Sequence, residues 1–196
     1  MRLEIASAKA VKYAIMNWHY SKAIPSVSLA FSVFEGSSFC GVICYGLGAT
    51  YKIGKSFGLQ NGQCIELVRV ALNGKQTATS KAMSISLKLL KKYSPLVKLV
   101  VSYADTDQGH TGILYQATNW YYIGSSTDTN IIVNGRLFHR RTLSSKYGTN
   151  SVARLKEMGL NVGETIKTKP KHKYIYPIDK TLIPMCKQLA KPYPKE

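Results

Sequence analysis

Acidic residues are scarce in this chain. Its 196 residues include 10 Asp and Glu against 27 Lys and Arg, a net charge of +17 at pH 7 with a pI near 9.8. A field of this sign and size makes a polyanion the default partner and argues against a small neutral acceptor. Cysteine is sparse as well. Cys40, Cys44, Cys64 and Cys186 are scattered and form no CxxC pair, so the spacing of a structural zinc site is missing. Cys40 and Cys44 fall in an apolar run, where cysteine acts as a small buried hydrophobe, and the usage reads as that of a reducing cytoplasm. No stretch approaches the roughly 18 consecutive apolar residues of a membrane-spanning helix. The opening Met1-Arg2-Leu3-Glu4-Ile5 lacks the apolar run of a signal peptide. Repeats and low-complexity tracts are absent. What is there is 45% apolar residues, enough for a packed core in one domain, or one domain with a short extension, and incompatible with disorder throughout.

Hydrophobic spacing orders the elements. Val11, Ala14, Ile15 and Trp18 recur at helical intervals and predict an amphipathic helix over 8–18. Residues 27–34 and 39–47 read as strands around Glu35-Gly36-Ser37-Ser38, residues 48–62 as a loose polar loop, and 63–72 as a strand. Ala78, Ala82, Ile85 and Leu89 form an apolar stripe with Lys81, Lys88 and Lys92 turned away, and Pro95 ends that helix. The nearly all-apolar run 96–103 suits a central strand covered on both faces. A short helix near 111–118, strands at 119–124 and 130–138, and a helix at 151–159 complete the order. The hairpin favours antiparallel pairing and the strand–helix–strand units favour parallel pairing. Together they predict an α/β fold with a mixed central sheet and helices on both faces, compatible with an acyltransferase-like architecture. Residues 134–196 hold 14 Lys and Arg against 4 acidic residues, while 1–133 hold 13 against 6. The expected division is a catalytic domain over 1–145 and a basic C-terminal extension over 146–196, packed on that domain or continuous with it.

The most informative stretch is 102–124, SYADTDQGHTGILYQATNWYYIG. Sites in open α/β sheets gather at the carboxyl ends of strands, and Asp105 is placed there. Asp107, Gln108 and His110 crowd the same turn, and Tyr115 follows on the short helix. The plain alternative is an Asp that caps the helix and a Tyr that packs in the core. Arg69, between Val68 and Val70 in an apolar strand, needs a partner.

The run Ala-Asp-x-x-x-Gly-His-x-Gly-x-x-Tyr-Gln-Ala-x-Asn-Trp, from Ala104 to Trp120, closely resembles the matching segment of the phage Mom family of DNA modification proteins. Ile65-Glu66-Leu67-Val68-Arg69-Val70 and the pair His19-Tyr20 also look like that family, and the resemblance covers roughly 10–145. It implies a GNAT-like (acyl-CoA N-acyltransferase-like) fold and an enzyme that converts adenine to N6-methylcarbamoyl adenine in double-stranded DNA, shielding that DNA from host restriction nucleases. It further implies a phage- or prophage-encoded protein at work in the bacterial cytoplasm. Carried over residue by residue, it points to Asp105, Tyr115 and Arg69 as catalytic, and to His19 and Tyr20 as a metal or substrate site.

The residues admit that chemistry. Adenine N6 is a poor nucleophile, so a carboxylate such as Asp105 would take its proton as the new bond forms. Tyr115 would donate to a leaving thiolate or orient the donor. Acetyl-CoA or a related acyl donor needs a phosphate cradle. Arg69 and the segment Asn73–Lys81, with Lys75, Thr77, Thr79, Ser80 and Lys81 opening a helix, would supply one; a Thr/Ser helix cap with solvated lysines is the alternative. A metal on His19 and Tyr20 would need a further ligand, with His110 or Asp105 as candidates, and iron would suit such a set; a surface His beside a packed Tyr is the alternative. Trp120 would hold an extruded base, unless it packs in the strand like its neighbours. Arg140, Arg141 and the alternating Lys167, Lys169, Lys171 and Lys173 would track DNA phosphates, the lysines as one extended arm, or else form a solvated face. Two other functions fit the charge: acetylation of a protein or tRNA amine on a GNAT fold, and DNA binding without catalysis.

Overall fold

In the computed structural model, residues 1–48, 53–127 and 129–194 are described; the side chain of Arg141 and part of the loop expected over 48–62 lie outside them. Two compact units emerge, one formed by 1–104, 110–124 and 172–196, the other by 105–109 and 125–171.

The larger unit is built on a seven-stranded sheet. Its elements in the first part of the chain are β1 (Arg2–Ile5), α1 (Ala8–Trp18), β2 (Leu29–Glu35), β3 (Ser38–Gly46), β4 (Cys64–Leu72), α2 (Thr79–Tyr93), β5 (Leu99–Asp105), α3 (Ile113–Gln116) and β6 (Tyr121–Ser126). Ser7 caps α1 by accepting from the Ala10 N–H at 3.2 Å, and Val11, Ala14 and Ile15 are its buried stripe, as their spacing predicts. β2 and β3 close a tight hairpin in which Glu35 faces Ser38 and Gly36 takes a φ of +58°. Along β3, side chains alternate between two faces. Ile43 and Tyr45 join Met83, Leu87 and Leu90 of α2; Val42 and Cys44 join Val11, Ala14 and Ile15 of α1. The sheet is therefore covered on both faces, which is the expected mixed α/β architecture. Pairing is antiparallel from β1 through β4, and β4 pairs with β5 in parallel. All four cysteines are buried and free.

The smaller unit carries β7 (Thr129–Val133), β8 (Arg136–His139), α4 (Arg140–Tyr147), α5 (Val152–Glu157) and β9 (Val162–Lys167). Its three strands pair antiparallel in the order β8-β7-β9 around a core of Ile131, Val133, Leu143 and Leu155. The strand expected over 130–138 is in fact two. Asn134 and Gly135, with φ of 50° and 73°, form a two-residue hairpin turn, the conformation for which Asn-Gly is best suited.

The chain then returns to the large sheet as β10 (Lys171–Pro177) and ends in α6 (Ile183–Leu189). The sheet order β1-β2-β3-β4-β5-β10-β6 puts β10 between β5 and β6. The boundary expected at residue 145 thus falls inside the smaller unit, and the supposed extension over 146–196 is shared between the two units. Tyr174 and Ile175 of β10, both fully buried, explain why: that strand is core, despite the lysines around it.

Candidate active site

The β4–β5 ladder is short. It runs from Cys64 opposite Leu99 to Glu66 opposite Val101 and stops, although β4 continues to Leu72 and β5 to Asp105. β4 also carries a bulge: Cys44 faces Arg69 and Tyr45 faces Leu67, leaving Val68 as the extra residue. Just beyond the last paired residue, Ser102 replaces the ladder with a side-chain bond, its hydroxyl donating to the Leu67 carbonyl at 3.0 Å. The same hydroxyl lies 2.8 Å from the Tyr115 Oη.

Tyr115 is held from several sides. It comes from α3, whose N-terminal boundary is Gly112 with a φ of +92°. A Cβ at Gly112 would fall 2.3 Å from the Tyr174 Oη, so glycine is required both by the backbone angle and by the neighbouring ring. Tyr174 donates to the Thr111 carbonyl at 2.6 Å and stacks on the Tyr115 ring at 4.7 Å, while Trp120 packs against it at 5.1 Å. Burial pushes the Tyr115 phenol up to about 12, with the Ser102 hydrogen bond pulling the other way. Tyr115 therefore carries its proton at neutral pH. Ser102 and Tyr174 were not singled out from the sequence. The signal for Ser102 was its place in a run of apolar residues, since a buried hydroxyl must find partners; Tyr174 had none.

Arg69 finds backbone partners. Its Nη1 donates to the Val68 carbonyl at 2.7 Å, and its Nε and Nη2 reach the Ala23 carbonyl at 3.4 and 3.3 Å, tying the segment after α1 to β4. His19 ends α1 in that segment. Its Nδ1 accepts from the Ser21 N–H at 3.2 Å, which leaves the ring proton on Nε2. Burial first, then the positive charge of Arg69, lowers His19 to about 4, so the ring is neutral at pH 7. Tyr20 stacks on His19 at 4.4 Å and meets the edge of His110 at 5.8 Å. Among the described residues no three His, Cys, Asp or Glu side chains gather to hold a metal, so the iron expected at His19 and Tyr20 has no such ligand set.

Asp105, the last residue of β5, caps the following turn: its Oδ1 accepts from the Asp107 N–H at 3.2 Å. Its Oδ2 lies 3.2 Å from Lys171 Nζ, with the carboxylate only 15% exposed. Lys169 pairs with Asp107 at 3.6 Å, and the Thr106 hydroxyl donates to the Pro170 carbonyl at 2.5 Å. The row of lysines is therefore not one arm. β9 ends at Lys167, β10 starts at Lys171, and Lys173 lies with its Nζ 5.0 Å from the centre of the Phe57 ring, half-buried, with burial lowering its ammonium. The period-2 spacing is interrupted at Thr168-Lys169-Pro170, and two of the four charges are matched by carboxylates. Arg140 is structural as well: it donates to the Thr129 hydroxyl and to the Asn150 carbonyl.

Trp120 cannot hold a base in this arrangement. It is fully buried, against Tyr115 and Tyr176. Trp120→Ala is expected to cost about 3–5 kcal/mol of stability, as for other large-to-small core changes. A urea-unfolding midpoint close to wild type would place the indole outside the core.

The proposed phosphate cradle is partly committed. The Thr77 N–H donates to Glu35 Oε2 at 3.1 Å, and the Thr79 hydroxyl accepts from Gln76 at 2.8 Å. The N-cap of α2 is Ala78, which has no capping side chain, so the alternative Thr/Ser cap is not there. The first turn of α2 retains uncapped N–H groups, with Lys75 and Lys81 exposed around them. That environment fits the phosphates of an acyl-CoA.

The sheet order, bulge and short parallel pairing define an acyltransferase-type fold. Its likeness to a probable acetyltransferase of the GNAT family from Chromobacterium violaceum has a TM-score of 0.51 at 11% identity, over 91% of this chain and 83% of that one. The family model for the Mom protein family matches residues 1–195, and the chain belongs to that family. It is 31% identical over 150 residues to the methylcarbamoylase mom of Escherichia phage Mu. The alignment covers 74% of this chain and 62% of that relative, so the chain spans about three fifths of the relative's length. No described helix is long and apolar enough to cross a membrane.

Proposed function

We propose that this protein is a DNA-modifying transferase that places a methylcarbamoyl group on adenine N6 in double-stranded DNA and so protects phage DNA from host restriction. The observation that carries this reading is the match of the whole chain to the Mom family on a GNAT fold. The net charge of +17 suits DNA as substrate. An acyl-CoA, held at the start of α2 with Lys75 and Lys81 beside its phosphates, would supply an activated two-carbon unit, and a separate nitrogen donor would supply the amide nitrogen of the substituent. Asp105, at the carboxyl end of β5, accepts the N6 proton in this reading, and Tyr115 holds a proton at its Oη. A base inside a duplex must leave the stack to be modified, and a π-face can receive it. With Trp120 buried, the half-exposed Tyr20, backed by His19 and flanked by His110, is an aromatic group that suits this role.

The test is nucleoside mass spectrometry on DNA from cells that express the protein. The expected result is a deoxyadenosine species heavier by the methylcarbamoyl substituent, and DNA that resists restriction enzymes cutting at adenine-containing sites. Unmodified deoxyadenosine beside an acetylated protein or tRNA amine would replace this reading with the amine-acetylating one.

A further inference from the structure

The hydrogen bonds around Ser102 have a determined direction. Its hydroxyl has one proton, and the Leu67 carbonyl, 3.0 Å away, can only accept. That proton is therefore given to Leu67. The contact of 2.8 Å between Ser102 and Tyr115 must then be filled by the phenol proton, with Ser102 as acceptor. In the resting protein the Tyr115 proton points at Ser102, and a lone pair of the Tyr115 oxygen remains for another donor. Ser102 is 1% exposed, so water does not compete for these positions.

We propose that Ser102 is a positioning residue that works as a hydroxyl switch for Tyr115, a role that rests on Tyr115 being the proton donor of the proposed reaction. The Tyr115 O–H bond breaks and its proton passes to the leaving thiolate, forming an S–H bond. The negative charge remains on the phenolate oxygen. Ser102 then turns about its Cβ–Oγ bond, moving its own proton from the Leu67 carbonyl toward Tyr115. No proton leaves Ser102; one hydrogen bond is exchanged for a charge-assisted and stronger one. The end of the β4–β5 ladder puts a serine where both acceptors are within reach of a single rotor. An alanine there would remove this donor from the phenolate.

The same three groups recur in the core as a built-in control. The Tyr45 Oη lies 2.7 Å from Ser86, which donates to the Met83 carbonyl at 2.8 Å, but Tyr45 is fully buried and meets no substrate.

The experiment replaces Tyr115 with a fluorinated tyrosine, which ionises at a lower pH, and follows its titration by ¹⁹F NMR in the free protein. Ser102→Ala is expected to raise that titration midpoint, Ser102→Thr to leave it near wild type, and Ser86→Ala to leave it unmoved. If Ser102→Ala does not fold, Ser102→Cys, a weak donor of similar size, is expected to shift it in the same direction. In parallel, Ser102→Ala should lower turnover on DNA tenfold or more, with Ser102→Thr restoring most of it. An unchanged midpoint in Ser102→Ala, or in Ser102→Cys, overturns the switch. Absence of modified adenine with the wild-type protein overturns the DNA reading instead, and leaves the titration to judge Ser102 separately.

Discussion

Asp105→Asn is expected to abolish adenine modification while the protein still folds and binds DNA. The amide keeps the shape of the side chain and can still accept from the Asp107 N–H, now 3.2 Å from Oδ1. It cannot take a proton from N6. General-base catalysis typically contributes about 10²–10⁴-fold, so product should fall below detection in a cellular assay. The ion pair with Lys171 supplies the control. If Asp105 serves only to anchor Lys171, then Lys171→Gln should do equal damage. If the carboxylate is the base, Lys171→Gln should retain a substantial share of product. Nucleoside mass spectrometry with a gel-shift titration on both variants separates these outcomes. Near-normal modified adenine in Asp105→Asn would remove Asp105 from the chemistry and leave it as the cap of the turn at Thr106–Gln108.

Tyr115→Phe is expected to lower product formation by at least about 10²-fold, the lower range for loss of a proton donor. The ring still stacks on Tyr174 at 4.7 Å and packs on Trp120 at 5.1 Å, so the packing survives. Ser102 keeps its bond to the Leu67 carbonyl. The stability change should therefore be about 1 kcal/mol, the net worth of one neutral hydrogen bond. A phenol pushed up to about 12 is fully protonated across the physiological range, so the loss should not depend on pH between 6 and 9, about. Wild-type yield at unchanged melting temperature would reassign Tyr115 to the core. A large loss of stability would show that the hydroxyl, not the ring, holds the turn after Gly112.

Local pattern alone determined much of this protein. The spacing of Val11, Ala14 and Ile15 is an intrinsic property of a helix that buries one face, and α1 runs over the residues expected. The apolar run into Asp105 suits a buried strand, and that puts a carboxylate at its end whatever surrounds it. The residues from Ala104 to Trp120, with Ile65–Val70 and His19-Tyr20, were enough to indicate the family. The role of individual side chains was decided elsewhere, because burial and hydrogen-bond partners come from residues distant in sequence. For Trp120 the sequence leaves open a base-holding ring or strand packing, and Tyr176, brought in by β10, decides for packing. The alternating lysines fit one extended arm or a solvated face by sequence; in the structure β9 ends at Lys167, β10 starts at Lys171, and Asp105 and Asp107 pair with two of them. β10 itself could not be placed from its basic composition, since its core residues Tyr174 and Ile175 are flanked by Lys171 and Lys173. The contact that gives Tyr115 its partner spans thirteen residues, and the one that anchors Ser102 spans thirty-five. Neither follows from a periodicity, because each depends on where the β4–β5 ladder stops.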